Sequence, residues 1–184
     1  MLGGSFNPAH RGHLRLSEFA LTRLGLDEVW WLVSPQNPLK STIGMAPFDE
    51  RMRYAIAGAT HPRIRATDLE SRLGTRYTVD TIDRLLARYP STRFVWLMGA
   101  DNLAQVDRWR RWRTLFSRVV IAVIDRPGHT YSALASPAGH ALAQRRYKGP
   151  LRQLAYQQPP AWAFVFGFRD WTSATALRQN GWHG

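Results

Sequence analysis

The sequence of 184 residues predicts an α/β fold in which a doubly wound, mostly parallel sheet forms a single domain. Short apolar runs alternate with longer segments whose apolar residues have helical spacing, which is typical of parallel strands joined by crossover helices. Prolines separate these segments, and neither a repeat nor a low-complexity linker divides the chain. Hydrophobic residues make up 45% of the sequence, so burial can offset the cost of ordering one domain over residues 1–184.

Five apolar runs predict strands. Each is short and bounded by turn residues, as expected for strands buried in a parallel sheet, and the second is the weakest. They are residues 28–34, 64–68, 93–99, 118–125 and 162–168. A further strand is expected before the first helix, but Met1 and Leu2 lead directly into a glycine-rich turn. Either this first strand is clipped to a very short one or the natural chain begins upstream of Met1.

The segments between the strands predict helices. Three of them carry apolar side chains at clear helical spacing, and the last two do so less regularly. They are residues 11–24, 48–60, 79–89, 109–116 and 134–147. In the fourth segment, Trp109 and Trp112 are three residues apart and would share one helical face. Tryptophan pairs of this kind usually pack in a core, which we expect for Trp112.

The absence of cysteine narrows the chemistry that this chain can perform. It excludes a disulfide scaffold, a thiolate zinc site and a cysteine nucleophile, and it is compatible with a reducing compartment. No apolar run approaches the roughly 20 residues that a membrane helix needs, and the start of the chain has no signal-peptide pattern. We therefore expect a soluble, cytoplasmic protein without a membrane partner.

The net charge of +12 comes almost entirely from arginine, since Lys40 and Lys148 are the only lysines. One interpretation is a positive field that recruits nucleic acid or small polyanions such as nucleotides. The other is a genome-wide preference for arginine, with these side chains on solvated helix faces. The basic clusters are dispersed and no zinc finger or RNP-like motif accompanies them, so we expect no specific nucleic-acid partner.

The most informative segment is GGSFNPAHRGH, which begins at Gly3 and spans the predicted junction of the first strand with the first helix. Gly3 and Gly4 let the backbone approach a ligand closely, and His10 and His13 fall on one face of the first helical turn. The helix dipole, backbone N–H groups and imidazoles would all favour a polyphosphate there, and Gly12 leaves room for it. The alternatives are two surface histidines, or a zinc site that lacks a third ligand at metal spacing.

The sequence GSFNPAHRGH resembles the signature of the cytidylyltransferase-like nucleotidyltransferases. With its leading glycine it is similar to the bacterial nicotinate-nucleotide adenylyltransferases in particular. Other segments match this family in its order along the chain. They are SPQNPLK (34–40), RYTVDT (76–81), MGADNL (98–103) with Trp109 downstream, DRPG (125–128) and SATALR (173–178). The resemblance implies a Rossmann-like nucleotidyltransferase fold over almost the whole chain, with a phosphate-binding helix segment near residues 172–181.

The resemblance also implies roles for individual residues. The catalytic residues that it implies are His13, His10 and Lys40. Those implied for ATP are Gly3, Gly4, Ser5, Phe6, Gly99, Asp101, Arg126, Ser173, Thr175 and Arg178. Those implied for nicotinate mononucleotide are Thr78, Trp109 and Asp101, and the positive charge of Arg110, next to Trp109, would favour a carboxylate there. Without the resemblance, Lys40 could equally be a solvated loop lysine, Ser173 an ordinary helix cap and Asp101 a cap at a strand end.

The reaction that the resemblance implies is attack by the mononucleotide phosphate on the α-phosphorus of ATP, which releases pyrophosphate. Mg²⁺ would join through the phosphates rather than through a protein metal site. Alternative acceptors are phosphopantetheine and nicotinamide mononucleotide, and a basic nucleic-acid-binding module is the alternative from another class. The chain departs from many relatives at Leu39, Arg110 and Ala174, where they carry His, Tyr and Ser. The sequence is compatible with an oligomer.

Overall fold

One parallel sheet organises the part of the chain that the structure, a computed structural model, describes: residues 1–36, 44–170 and 172. The strands in this part are β1 (Leu2–Gly4), β2 (Val29–Val33), β3 (Ile64–Thr67), β4 (Val95–Gly99), β5 (Val120–Ile124) and β6 (Trp162–Val165). They lie in the order β3-β2-β1-β4-β5-β6, and every adjacent pair is parallel. The predicted sheet is therefore confirmed, and it is fully parallel over the described strands.

Helices cover both faces of this sheet. The described α-helices are α1 (Arg11–Leu24), α2 (Phe48–Gly58), α3 (Leu69–Arg72), α4 (Thr78–Arg88), α5 (Ala100–Leu103), α6 (Trp112–Arg118), α7 (Thr130–Leu134) and α8 (Pro137–Ala141). Short 3-10 helices cover Val106–Arg108, Ala143–Arg145 and Leu151–Tyr156. None of these helices is both long enough and apolar enough to span a bilayer.

The strands separate two hydrophobic cores by the alternation of their side chains. In β4, Val95 and Leu97 face the core that α1 and α2 cover, whereas Trp96 and Met98 face the core under α4 to α8. Successive side chains of a strand point to opposite faces, so a five-residue buried run supplies both cores. The doubly wound architecture predicted from the sequence is confirmed.

Helix α1 carries the histidine motif, and its sequence explains both of its ends. It begins after His10, which caps it, and ends at Leu24, which is followed by Gly25 with a φ of 64°, the left-handed conformation that favours glycine. Leu16, Ala20 and Leu24 are buried on one face at helical spacing. Because that face packs on the sheet, the first turn of α1 is held at the edge where the strands end.

Strand β1 is only three residues long, yet it lies in the middle of the sheet between β2 and β4. Gly3 lies directly against the indole of Trp96, where a Cβ would collide with the ring. Gly3 therefore serves packing, because its missing side chain lets the indole cover the strand.

Two of the weaker helix predictions are wrong in detail. Trp109 lies outside α6 in extended conformation, and Arg111 has a φ of 52°, so the helix starts only at Trp112. Trp109 and Trp112 therefore do not share a helical face, although Trp112 does pack in the core as expected. The segment predicted as one helix over 134–147 is divided, because Ser136 caps a new helix whose first residue is Pro137.

Candidate active site

The candidate site lies at the carboxyl edge of the sheet, where the strand order reverses between β1 and β4. The turn and helix that follow β1 meet there with the residues that follow β4 and β5. In open parallel sheets the crevice at such a reversal is the usual place for a ligand. The position that the sequence predicted for the histidine motif is thus the position that the topology favours.

The turn after β1 is held by aromatic packing. Phe6 is almost completely buried and has a φ of 48°, which is uncommon for a residue with a side chain. Its ring stacks on Trp31 at a centroid distance of 5.1 Å and contacts the imidazole of His13 at 4.7 Å. This packing fixes the backbone that leads into α1. Phe6 therefore supports the site from within the core.

His10 and His13 form a reciprocal pair at the start of α1. The N–H of Gly12 donates to Nδ1 of His10 at 3.1 Å, and the N–H of His10 donates to Nδ1 of His13 at 3.2 Å. The two rings lie 3.9 Å apart between centroids. A nitrogen that accepts a hydrogen bond carries no proton, so each neutral ring must carry its proton on Nε2. In this arrangement the Nε2 atoms are the donor positions of the two rings.

His10 is neutral in this setting. Burial and, to a smaller extent, the nearby cation of Arg126 lower the pKa of His10 to about 4, although Asp170 opposes them. At neutral pH the ring therefore acts as a hydrogen-bond donor rather than as a cation. A bound phosphate would itself favour the charged form of His10. The neutral form therefore describes the site before a ligand binds.

Gly12 is required by close packing around His10. A Cβ on Gly12 would lie 2.9 Å from the His10 ring and 3.1 Å from the Cβ of Thr172. No side chain fits there unless the imidazole or Thr172 moves. The missing side chain therefore makes room for His10 and for the start of the C-terminal segment.

Asp101 and Arg126 connect the ends of β4 and β5. Arg126 Nη1 lies 3.3 Å from Asp101 Oδ2, and Arg126 Nη2 donates to the carbonyl of Thr172 at 3.0 Å. Asp101 Oδ1 is buried and has no hydrogen-bond partner among the described residues. A buried acceptor without a partner is unfavourable, so this oxygen is suited to receive a ligand hydroxyl or N–H group. Gly99 leaves room for it, since a Cβ there would collide with the same oxygen.

Asp170 fastens Thr172 to α1. Thr172 begins the predicted phosphate-binding segment, whereas Asp170 was not predicted from the sequence. Asp170 Oδ1 accepts from the Thr172 N–H at 2.8 Å, and Oδ2 lies 3.4 Å from Nη1 of Arg15. Burial opposes ionisation of this carboxyl group, but hydrogen bonds from Thr172 and Arg15 outweigh it and lower the pKa of Asp170. An aspartate two residues before a threonine is a local turn signal, whereas its link to Arg15 spans 155 residues.

A second group of predicted residues surrounds the start of α4. Thr78 is the first residue of this helix, which begins without a side-chain cap. The guanidinium carbon of Arg110 lies 4.5 Å from the centroid of the Tyr77 ring, and Arg111 pairs with Asp80 at 3.3 Å. The loop that begins at the half-buried Trp109 therefore packs against this helix start.

Four of the predicted site residues cannot be placed in this geometry. Lys40, Ser173, Thr175 and Arg178 lie outside the described residues, as do the departures Leu39 and Ala174. Within the described residues, no group of three His, Cys, Asp or Glu side chains is arranged to hold a metal ion.

The sequence was compared with protein families and with curated proteins. The profile of the cytidylyltransferase-like family matches residues 1–180. A protein of Parvibaculum lavamentivorans named "Probable nicotinate-nucleotide adenylyltransferase" is 53% identical over 182 residues, which cover 98% of this chain and 90% of that protein. A protein of Methylorubrum extorquens with the same name is 51% identical over 179 residues, which cover 97% of each chain.

The fold was compared with solved structures. A nicotinic acid mononucleotide adenylyltransferase of Plasmodium falciparum, solved in complex with NaAD, superposes with a TM-score of 0.68. The superposition covers 97% of this chain and 80% of the other, and the two sequences are 16% identical. At this identity the likeness concerns the fold alone.

Proposed function

This chain belongs to the cytidylyltransferase-like family, and from this premise we propose that it transfers the AMP part of ATP to nicotinate mononucleotide. The products are nicotinate adenine dinucleotide and pyrophosphate, so the reaction belongs to NAD biosynthesis. Curated relatives named as nicotinate-nucleotide adenylyltransferases are about half identical to it over nearly its whole length, which supports this assignment. The chain is thus a nucleotidyltransferase.

The observation that carries the assignment in the structure is the His10–His13 pair at the start of α1. Both Nδ1 atoms accept backbone N–H groups, so in a neutral ring the proton is on Nε2. Two such donors at the positive end of a helix suit the α-phosphate and the bridging oxygen of ATP. His13 would be the principal catalytic donor and His10 its neighbour.

The remaining ATP contacts are proposed from the residues around this pair. The backbone of Gly3, Gly4, Ser5 and Phe6 would line the nucleotide beside β1. Asp101 Oδ1, the buried acceptor without a partner, would receive a ribose hydroxyl beside Gly99. Arg126 would approach the adenine edge, since it is held between Asp101 and Thr172.

The departing pyrophosphate needs positive charge and hydroxyl donors. Lys40, Ser173, Thr175 and Arg178 are proposed for this role by their match to the family. Thr172 begins the C-terminal segment and lies against Gly12, so the described end of that segment already adjoins the histidine pair. Mg²⁺ would be bound mainly by the ATP phosphates, whose charge it would neutralise.

The acceptor would occupy the second group of residues. Thr78 and the N–H groups at the start of α4 would bind the nicotinate carboxylate, and Trp109 would stack on the pyridine ring. Arg110 lies over Tyr77, the residue before Thr78, so its charge also favours a carboxylate there. Asp101 would lie between the two nucleotides.

The chemistry needs no nucleophile from the protein. The acceptor phosphate attacks the α-phosphorus, the bond to the bridging oxygen breaks, and the electron pair leaves with pyrophosphate. The protein contributes by aligning the two phosphates and by stabilising the charge on the leaving group. Hydrogen-bond donation by His10 and His13 would fit this role, because the step requires no proton to be removed by the protein.

The test is release of pyrophosphate from ATP and Mg²⁺ with nicotinate mononucleotide, nicotinamide mononucleotide or phosphopantetheine offered separately. We expect release mainly with nicotinate mononucleotide, and a loss of about 100- to 1,000-fold in kcat for His13→Ala, as when one transition-state donor is removed. His61→Ala is the matched control, because His61 lies in the turn before β3 at the opposite edge of the sheet. Release with phosphopantetheine alone would refute the proposed acceptor.

A further inference from the structure

Arg51 is a buried cation that the proposed mechanism does not use. It lies in α2 with a relative exposure of only 1%, and it forms no ion pair with a described carboxylate. Burial lowers the pKa of its guanidinium group. Buried arginines are rare unless they are paired, because a charge loses its hydration on burial. The buried guanidinium group must therefore be stabilised by hydrogen bonds to groups other than carboxylates.

Within the described part of the chain, Arg51 donates hydrogen bonds to four backbone carbonyl groups, and its guanidinium carbon lies 5.5 Å from the centroid of the Phe48 ring. Nη1 donates to Ser5 and to Ser34, each at 2.7 Å, Nη2 donates to Pro35 at 2.7 Å, and Nε donates to Ala46 at 3.0 Å. Ser5 belongs to the turn after β1, and Ser34 and Pro35 follow β2. Ala46 lies just before α2. One side chain therefore joins three separate stretches of backbone at the carboxyl edge of the sheet.

Asn7 forms a second link between the same stretches. Its Nδ2 donates to the carbonyl of Gly44 at 2.9 Å, and its Oδ1 accepts from the N–H of Ala46 at 3.0 Å. The turn that leads to His10 is thus fastened to the backbone before α2 from two directions. Along the chain, Lys40 lies between Pro35 and Ala46, two residues whose carbonyl groups bind Arg51.

We propose that Arg51 is a positioning residue for ATP, which sets the turn after β1 against the ends of the segment that carries Lys40. This inference rests on the proposed function. The four carbonyl groups point at Arg51, so they do not present their partial negative charge to the triphosphate. The planar fork of a guanidinium group can reach all four, whereas the ammonium of a lysine has three donors at one point.

The contacts of Arg51 lie beside the proposed ATP site and not beside the proposed acceptor site. All of them lie on the turn after β1 and on the backbone at both ends of the Lys40 segment. None reaches the Thr78 and Trp109 group among the described residues. Removing the guanidinium group should therefore weaken the binding of ATP much more than the binding of nicotinate mononucleotide. This difference between the two substrates distinguishes positioning from a general loss of folding.

The experiment compares Arg51→Lys and Arg51→Ala with wild type. A non-hydrolysable ATP analogue is titrated by calorimetry, and KM is measured for both substrates, at a temperature where circular dichroism shows each variant to be folded. We expect the Kd of the analogue and the KM for ATP to rise at least about tenfold, since displacements of about 1 Å can cost about 100-fold. The KM for nicotinate mononucleotide should stay within about twofold. Added guanidinium ion should restore part of the lost ATP affinity in Arg51→Ala.

Arg53→Ala is the matched control, because Arg53 lies in the same helix but is exposed. Asn7→Ala removes the second link and should raise the KM for ATP in the same direction. An unchanged Kd for the analogue in folded Arg51→Lys would overturn the proposal, as would an equal rise in both KM values. Analogue binding by wild type without turnover of nicotinate mononucleotide would refute the proposed acceptor and still leave the role of Arg51 measurable.

Discussion

The Nδ1 atom of His13 accepts the backbone N–H of His10 at 3.2 Å, while Nδ1 of His10 accepts the N–H of Gly12. The backbone thereby favours, in each neutral ring, the tautomer that carries its proton on Nε2. Orientation and proton position are set before ATP binds. This preorganisation is what a site that works by alignment and hydrogen bonding requires.

The first prediction concerns the protonation of His10. With a pKa of about 4, His10 should stay neutral from pH 8 to about pH 5 in the ligand-free protein and carry its proton on Nε2. Long-range ¹⁵N–¹H correlation spectra would identify the tautomer, and His10→Gln would assign the signals. The lowered pKa also predicts that stability falls as pH drops from 6.5 towards 4, because the unfolded chain then binds the extra proton. A His10 signal that titrates near pH 6.5 would contradict this.

The second prediction concerns the space at Gly12. Gly12→Ala would place a methyl group 2.9 Å from the His10 ring, so the imidazole must shift. We expect kcat/KM for ATP to fall about tenfold or more, because displaced donors lose their alignment. The control is Gly58→Ala, whose Cβ would make an ordinary contact at 3.6 Å with Trp31. Equal activity of the two variants would show that the ring tolerates the shift.

The third prediction separates two tryptophans that the sequence placed on one face. Trp109→Ala should raise the KM for nicotinate mononucleotide with little change in Tm, because the side chain is half-buried at the acceptor group. Trp112→Ala should instead destabilise the fold by about 3–5 kcal/mol, since the ring is buried in the core. Thermal unfolding and steady-state kinetics on both variants are the measurements. Trp109→Phe should keep most of the acceptor affinity, and a loss equal to that of Trp109→Ala would argue against stacking.

The fourth prediction concerns Glu70, which is buried behind α4. Burial raises the pKa of Glu70 from 4.5 to about 7, and hydrogen bonds with Ser34 and Thr81 oppose this shift. The folded protein therefore keeps a proton that the unfolded chain releases, so this contribution to stability is full below pH 4.5 and is lost as pH rises through 7. Relative to Glu70→Gln, wild type should lose about 2–3 kcal/mol of unfolding free energy between pH 5 and pH 8. Urea titrations at constant ionic strength would measure it, and a constant difference would disprove the raised pKa.

The sequence predicted correctly those helices and strands whose ends are marked by neighbouring residues. Helix α1 begins and ends where predicted, at Arg11 and Leu24, because a capped start, an apolar stripe and a glycine lie next to each other in the sequence. The fully buried β5 was recognisable as a continuous apolar run. The helix predicted from residue 109 starts only at Trp112, because Arg111 adopts a left-handed conformation. That conformation could not be predicted, since the residue is not a glycine.

The parts of the site that escaped prediction depend on long-range contacts. Arg51 binds the carbonyl of Ser5, which is 46 residues away, and Arg126 binds that of Thr172 at the same separation. Backbone carbonyl groups occur at every position, so no residue type marks such a partner. In contrast, the histidine motif was recognisable because its donors, its glycine and its helix start are contiguous.

The parallel arrangement of the described strands has a practical consequence. The proposed ATP site lies at the carboxyl edge of the sheet, so the turns that lead into the described strands lie at the opposite edge. Ser91 is exposed in one of these turns, between α4 and β4, and the chain contains no cysteine. A Ser91→Cys variant would therefore carry one thiol, through which the enzyme could be tethered to a sensor surface with its crevice open to the solution.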